Sequence, residues 1–263
     1  MSAASKILKP VFIVSGVGSG SGTGSSAARV FAKAGYSVAL IARNPDSLKT
    51  LAEEIKSDGG EAIPVPVESY EAEALSAGFK TILSAFPPST HAVRGALYNT
   101  GDAIFKPFLE ITPAEHRRSI LTHLEGGFVF GQEVIRLFLQ NEPVDGRKGT
   151  LIFTGATAGV RGGPITSSFS AGKHGIRALS QSLAKEFGRQ DIHVAHCIID
   201  GRINSGNVRK DIKQMPSELT AKDDELDKFM APVQIAENYL WLVNQHKSTW
   251  TWELDLRPAH EKW

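Results

Sequence analysis

Four glycines within eight residues constrain this chain more than any other feature. They lie in Ser15-Gly16-Val17-Gly18-Ser19-Gly20-Ser21-Gly22, after the apolar run Val11–Val14 and before a helical pattern over Thr23–Ala34. A chain that turns from strand to helix without side chains lets a ligand approach its backbone closely. The first N–H groups of a helix have no partners within it, and they attract phosphate. Strand, glycine turn and helix in that order therefore predict a dinucleotide site built from Ser15, Gly16, Ser19, Gly20, Ser21 and Gly22. The competing reading of the same residues is a flexible loop that binds nothing.

The rest of the chain alternates in the same way. Strands are expected at Val11–Val14, Ser37–Ala42, Ala62–Val67, Val93–Leu97, Thr150–Phe153, Ile192–Ile199 and Thr249–Leu254. Between them, helices are expected at Thr23–Ala34, Asp46–Ser57, Tyr70–Ala85, Thr112–Leu139, Thr166–Phe187 and Val233–Val243. Such alternation predicts an α/β fold, a doubly wound parallel sheet of the Rossmann type with about seven strands and helices on both faces. One domain over residues 1–263 accounts for the pattern, with a cleft at the carboxyl ends of the strands. Residues 207–228 are polar, charged and weakly patterned, and are expected to form a substrate lid.

The second expected strand ends in Ala42-Arg43-Asn44. A ribose with a free 2′-hydroxyl calls for a carboxylate at that tip, whereas a 2′-phosphate calls for a cation. Arg43 supplies the cation, so NADP(H) is favoured over NAD(H). Asp46 is read as a cap for the following helix.

Charge and cysteine content exclude several classes. The 29 basic and 28 acidic residues are dispersed, which argues against a nucleic-acid partner. The single cysteine, Cys197, rules out an internal disulfide and is expected to be a buried, inert thiol. His91, His116 and His123 lack metal-ligand spacing, so no metal is expected. The apolar runs are too short for a membrane span, and the first ten residues do not read as a signal peptide. A cytoplasmic protein with a small-molecule substrate and no membrane partner is the expectation.

With these residues in view, the chain resembles the short-chain dehydrogenase/reductase family over nearly its whole length. Ser15-Gly16 with Gly20 and Gly22 is similar to the family's Thr-Gly-x-x-x-Gly-x-Gly loop. Tyr98-Asn99-Thr100-Gly101 resembles its Asn-Asn-Ala-Gly motif, and Asp200-Gly201-Arg202-Ile203-Asn204-Ser205 its Pro-Gly segment. The resemblance implies that Glu68 contacts adenine, that Asn99 and Gly101 line the cofactor, and that Gly201, Ile203 and Ser205 border the nicotinamide. It also implies a homodimer or homotetramer. The helices Thr112–Leu139 and Thr166–Phe187 would form the dimer face, with Gly126, Gly127, Gly172 and Gly175 allowing close approach.

The catalytic positions depart from that pattern. The family's Tyr-x-x-x-Lys reads Phe169-Ser170-Ala171-Gly172-Lys173, its serine falls on Ala156, and its helical asparagine falls on His123. Lys173 remains and is expected to grip the nicotinamide ribose. Phe169 has no proton to give. Candidate substitutes are His123 in a proton relay, the Thr157 hydroxyl beside the vacant serine position, and Tyr98 at the cleft end of the fourth strand. Asp200, with Arg202 close behind, is a further acid near the nicotinamide. The leading functional reading is an atypical NADP(H)-dependent oxidoreductase. Two alternatives stand beside it: a catalytically inactive dinucleotide-binding protein, and a redox-neutral biosynthetic enzyme using the same pocket.

Overall fold

The computed structural model of the chain describes residues 8–205 and 229–259. The expected lid, residues 207–228, lies outside them. Strands β1 (Lys9–Ser15), β2 (Ser37–Ala42), β3 (Glu61–Pro66), β4 (His91–Tyr98), β5 (Gly149–Thr154) and β6 (Ile192–Ile199) alternate with helices. A short pair, β7 (Arg202–Ile203) with β8 (Phe229–Met230), precedes the last strand, β9 (Glu253–Leu256). The main sheet has seven strands in the order β3-β2-β1-β4-β5-β6-β9, all parallel. The expected doubly wound α/β fold is the observed one.

Two-residue periodicity divides each strand between two cores. In β1, Phe12 and Val14 face α1 (Thr23–Lys33), α2 (Pro45–Ser57) and the last helix, while Val11 and Ile13 face the opposite set. That opposite set comprises α3 (Ala72–Ala85), α5 (Gly126–Leu139) and α6 (Ser167–Phe187). The last helix, α7 (Pro232–Val243), packs on α1 through Ile235, Ala236 and Tyr239. Pro64 and Pro66 are tolerated because β3 is an edge strand. Strand order reverses at β1, which pairs with both β2 and β4. A crevice opens there, beyond the carboxyl ends of the strands.

Several expected boundaries shift. The stretch Thr112–Leu139 is not one regular helix: α4 (Pro113–Ile120) runs through a π-helical turn at Leu121–Glu125 into α5. Thr112 caps α4 in a reciprocal bond pair with Glu115. The last strand is Glu253–Leu256, and Lys247–Thr249 form a 3₁₀ turn. Asn44, not Asp46, caps α2, its side chain accepting from the N–H groups of Asp46 and Ser47. Among the described residues, no helix is long and apolar enough to cross a membrane.

Candidate active site

The glycine loop splits into packed and open positions. Gly16 has φ +91°, and a Cβ there would come within 2.7 Å of the Thr100 amide nitrogen. A Cβ on Gly24, in the first turn of α1, would lie 2.2 Å from the Gly16 carbonyl oxygen. These two glycines let the helix sit on the loop. Gly18 and Gly20 have φ +64° and +96°, and among the described residues nothing lies within 4 Å of a Cβ added at either or at Gly22. Open space therefore lies beside the loop, next to an α1 N-terminus whose capping residue, Gly22, has no side chain. The Thr23 hydroxyl, in the first helical turn, is buried without a hydrogen-bond partner among the described residues. Gly24 was not singled out from the sequence. Its signal is a glycine inside a helix, costing about 1 kcal/mol without a packing reason.

Ser15 does not face that space. Its hydroxyl bonds that of Thr100 at 2.8 Å in a fully buried contact, tying the ends of β1 and β4 together. Ser19 and Ser21 lie on the exposed side of the loop. Arg43, at the tip of β2, is exposed, with its guanidinium 5.7 Å from the ring centre of buried Tyr70. Glu68 is exposed on the connection that carries Tyr70. Tyr70 is a further residue of this corner that sequence reasoning passed over, because nothing local marks a tyrosine there as a platform for a cation.

A hydrogen-bond chain joins the loop to the lysine. Asn99 Nδ2 donates to the Gly16 carbonyl at 2.8 Å, and its Oδ1 accepts from Thr154 Oγ1 at 2.9 Å. Lys173 Nζ donates to the Thr154 carbonyl at 2.8 Å. Thr154 has one proton and gives it to Asn99, so the Tyr239 hydroxyl on α7, 2.9 Å from Thr154 Oγ1, must donate to Thr154. Burial lowers the Lys173 ammonium to about 8, and its Nζ lies 5.9 Å from the Phe169 ring centre.

The candidate substitutes fare differently. His123 is 1% exposed. Its Nδ1 lies 2.9 Å from the Ser119 carbonyl and its Nε2 accepts the Asp102 N–H at 3.2 Å. The ring proton is thus fixed on Nδ1. Burial, with the Lys173 charge second, lowers its pKa to about 4. This is a neutral ring with both nitrogens engaged, Nδ1 by the Ser119 carbonyl and Nε2 by the Asp102 N–H. Glycines make room for it: a Cβ on Gly172 would be 2.8 Å from His123 Cβ, and one on Gly101 would be 3.1 Å from Nε2. Phe169 packs edge-on against it, with centroids 5.3 Å apart.

Tyr98 is likewise no cleft acid. Its hydroxyl donates to the Thr122 carbonyl at 2.6 Å inside the core, and burial raises its pKa well above the ordinary value. Thr157 is half-buried beside Ala156, and its hydroxyl donates to Asp200. Asp200 Oδ2 lies 2.6 Å from Arg257 and 3.8 Å from Arg161. A Cβ on Gly201 would be 2.6 Å from Pro258. Ile203 pairs with Met230, and the Ser205 amide donates to the Ile203 carbonyl at 2.8 Å. Cys197 is fully buried and its thiol is pushed far up by burial.

The glycines assigned to the dimer face serve packing within the chain. A Cβ on Gly127 would lie 2.3 Å from Ile176, and one on Gly175 2.9 Å from Leu124.

Comparison with known proteins agrees with this architecture. The family model described as short chain dehydrogenase matches residues 11–216. A solved short-chain dehydrogenase from Rhodopseudomonas palustris is 30% identical, with a TM-score of 0.73, over 95% of this chain and 98% of that one. A metagenomic short-chain oxidoreductase in complex with NADP is similar in fold, with a TM-score of 0.76 at 22% identity over 98% of this chain and 100% of that one. An uncharacterized oxidoreductase of Bacillus subtilis, YxnA, is 28% identical over 201 residues, covering 76% of this chain. The chain spans 54% of that relative's length.

Proposed function

Because the chain belongs to the short-chain dehydrogenase family, we propose that it is an oxidoreductase using NADP(H), in preference to NAD(H), on a small organic molecule. The observation that carries this reading is the space left open, among the described residues, over Gly18, Gly20 and Gly22, bordered by a helix N-terminus without a side-chain cap and by the Thr23 hydroxyl, which has no partner among those residues. The charge of a pyrophosphate suits that arrangement. Arg43 is the group that would hold a 2′-phosphate, with Tyr70 supporting its guanidinium. Glu68 is assigned to adenine, and Gly101 with Gly201, Ile203 and Ser205 to the nicotinamide side. Asn99 and Lys173 would hold the ribose end, their positions fixed by the chain through Thr154. The NADP bound by the metagenomic neighbour supports the same assignment. When bound, the nicotinamide supplies or takes the hydride.

The chain's own residues limit the rest of the chemistry. Ala156 and Phe169 offer no proton, and His123 is neutral with both ring nitrogens occupied. Thr157 gives its proton to Asp200, so toward a substrate it can only accept. This suits substrates that do not need a carbonyl oxygen protonated by the enzyme as hydride moves. We assign assembly as a homodimer or homotetramer to the outer face of α5, where Phe128 and Leu139 are exposed.

Titration with NADPH and NADH, read by tryptophan and nicotinamide fluorescence, tests the cofactor reading. Micromolar NADPH binding with much weaker NADH binding is expected. Arg43→Ala should weaken NADPH by about tenfold or more, the worth of a charge-assisted bond, and leave NADH unchanged. Binding of neither nucleotide would sink the reading. The apolar Ala156 and Phe169 positions favour a second possibility, a dinucleotide-binding protein without turnover. Tight NADPH binding with no hydride transfer to any carbonyl, iminium or enone would select it.

A further inference from the structure

Arg29 lies on α1 and joins the glycine loop to α2. Its Nε and Nη2 donate to the two carboxylate oxygens of Glu54 on α2 at 2.6 and 2.7 Å. Its remaining terminal nitrogen, Nη1, donates to the Gly20 carbonyl at 3.0 Å. A planar guanidinium held on two prongs by one carboxylate has its third direction fixed. The direction that remains is the one Gly20 uses.

The consequence follows from peptide geometry. Gly20 has φ +96°, which a residue with a side chain rarely adopts. In a trans peptide the carbonyl and the next N–H point in opposite directions. With the Gly20 oxygen turned toward Arg29, the Ser21 N–H of the same peptide points away from Arg29, to the other side of the loop. The reversed peptide would aim a carbonyl dipole at an anion there and repel it. The same Glu54 belongs to the helix that starts two residues after Arg43.

We propose that the Arg29–Glu54 pair is a positioning device for dinucleotide binding: it holds the Gly20 peptide in the orientation that receives a pyrophosphate. This rests on the cofactor reading above, and the test separates the two. Binding of NADPH and of adenosine 2′-monophosphate is measured for the full chain and for Arg29→Met, Arg29→Lys, Glu54→Gln and the Arg29→Met/Glu54→Gln double variant, with circular dichroism checking the fold. The second ligand carries the 2′-phosphate that Arg43 would read but no pyrophosphate.

Arg29→Met should weaken NADPH by about tenfold, the loss of one charge-assisted bond. It should leave adenosine 2′-monophosphate within about twofold. Glu54→Gln should weaken NADPH less, and the double variant no more than Arg29→Met alone, because the two act as one unit. Arg29→Lys, which cannot make three fixed contacts, should fall in the same direction and guards against misfolding of the Met variant. NADPH binding within twofold of the parent in both Arg29 variants would overturn the proposal. So would equal loss of both ligands, which marks a general effect on the fold. Failure of the unaltered protein to bind NADPH overturns the cofactor reading itself.

Discussion

Asp200 follows β6 directly with 2% of its surface exposed, takes the Thr157 hydroxyl on Oδ1, and meets Arg257 on Oδ2 at 2.6 Å. The carboxylate therefore ties together the β5 loop, the end of β6 and the segment after β9. Replacing it by an amide removes one of the two carboxylates that Arg257 meets, while Asp255 still accepts from its Nε and Nη2 at 3.0 and 2.8 Å. Arg257 keeps that second partner and is slightly open to solvent, at 15% side-chain exposure, so Asp200→Asn is expected to lose about 1 kcal/mol in urea denaturation. A loss below about 0.5 kcal/mol, the scale of an ordinary surface change, would mean that water already screens the pair. Neither partner was legible as a pair, since 57 residues separate them and no local pattern joins them. Tyr98 was legible after all: strand periodicity puts it on the side of Ala96, which packs toward α3 and α5. Its position after a strand suggested the cleft, but parity pointed to the core.

The helical stretch from Pro113 to Leu139 was legible as helix but not as a helix with a π-helical turn. One extra residue in a turn leaves the apolar pattern almost unchanged, so periodicity alone does not reveal it. The glycines after it were read as a surface for another subunit, whereas they admit Tyr98, Tyr70 and Ile176. A Cβ on Gly126 would lie 2.6 Å from the Tyr98 hydroxyl and 2.9 Å from Tyr70 Cβ. Alanine normally favours a helix over glycine by about 1 kcal/mol. Here Gly126→Ala should instead destabilise, by about 1–3 kcal/mol, as overpacking does. Gly22→Ala is its counterpart at the start of α1. Its φ of −95° suits alanine and its added methyl meets nothing, so stability should stay within about 0.5 kcal/mol. NADPH binding should nevertheless weaken, because the methyl enters the space assigned to pyrophosphate. Calorimetry on both variants, with a nucleotide titration of the second, separates packing glycines from binding ones. Unchanged binding by Gly22→Ala would remove the ligand from that space. The last strand was misplaced for a related reason. Trp250 and Trp252 look like strand residues, but Trp250 stacks on His193 at 5.0 Å and Trp252 lies under Arg177.

For the whole molecule, strand and helix alternation made the sheet readable, because a parallel sheet buried on both faces leaves continuous apolar runs. It could not reveal that three histidines are enclosed at separate places in that framework. His123 stands in the π-helical turn, while His193 and His196 lie on β6 beside the segment that leads into β9. Burial is the leading cause in each case and lowers all three to about 4. His196 stays depressed even though its Nδ1 lies 3.0 Å from Glu253. An unfolded histidine titrates near 6.5. Between about 4 and 6.5 the unfolded chain therefore binds more protons than the folded one, and stability falls as pH falls through that window. Above it, neither state carries the charge and the contribution is fully present. At pH 5 the difference is on the order of 2 kcal/mol for each ring. Together that approaches the entire stability of an ordinary domain. Urea midpoints taken at pH 7, 6 and 5 should therefore drop steeply, well before the carboxylates titrate. His123→Asn should flatten the slope by about a third, since it removes one of three similar titrations. A midpoint that holds constant down to pH 5 would mean that these rings accept protons without leaving their sites, and that water reaches the framework between α5, α6 and β9.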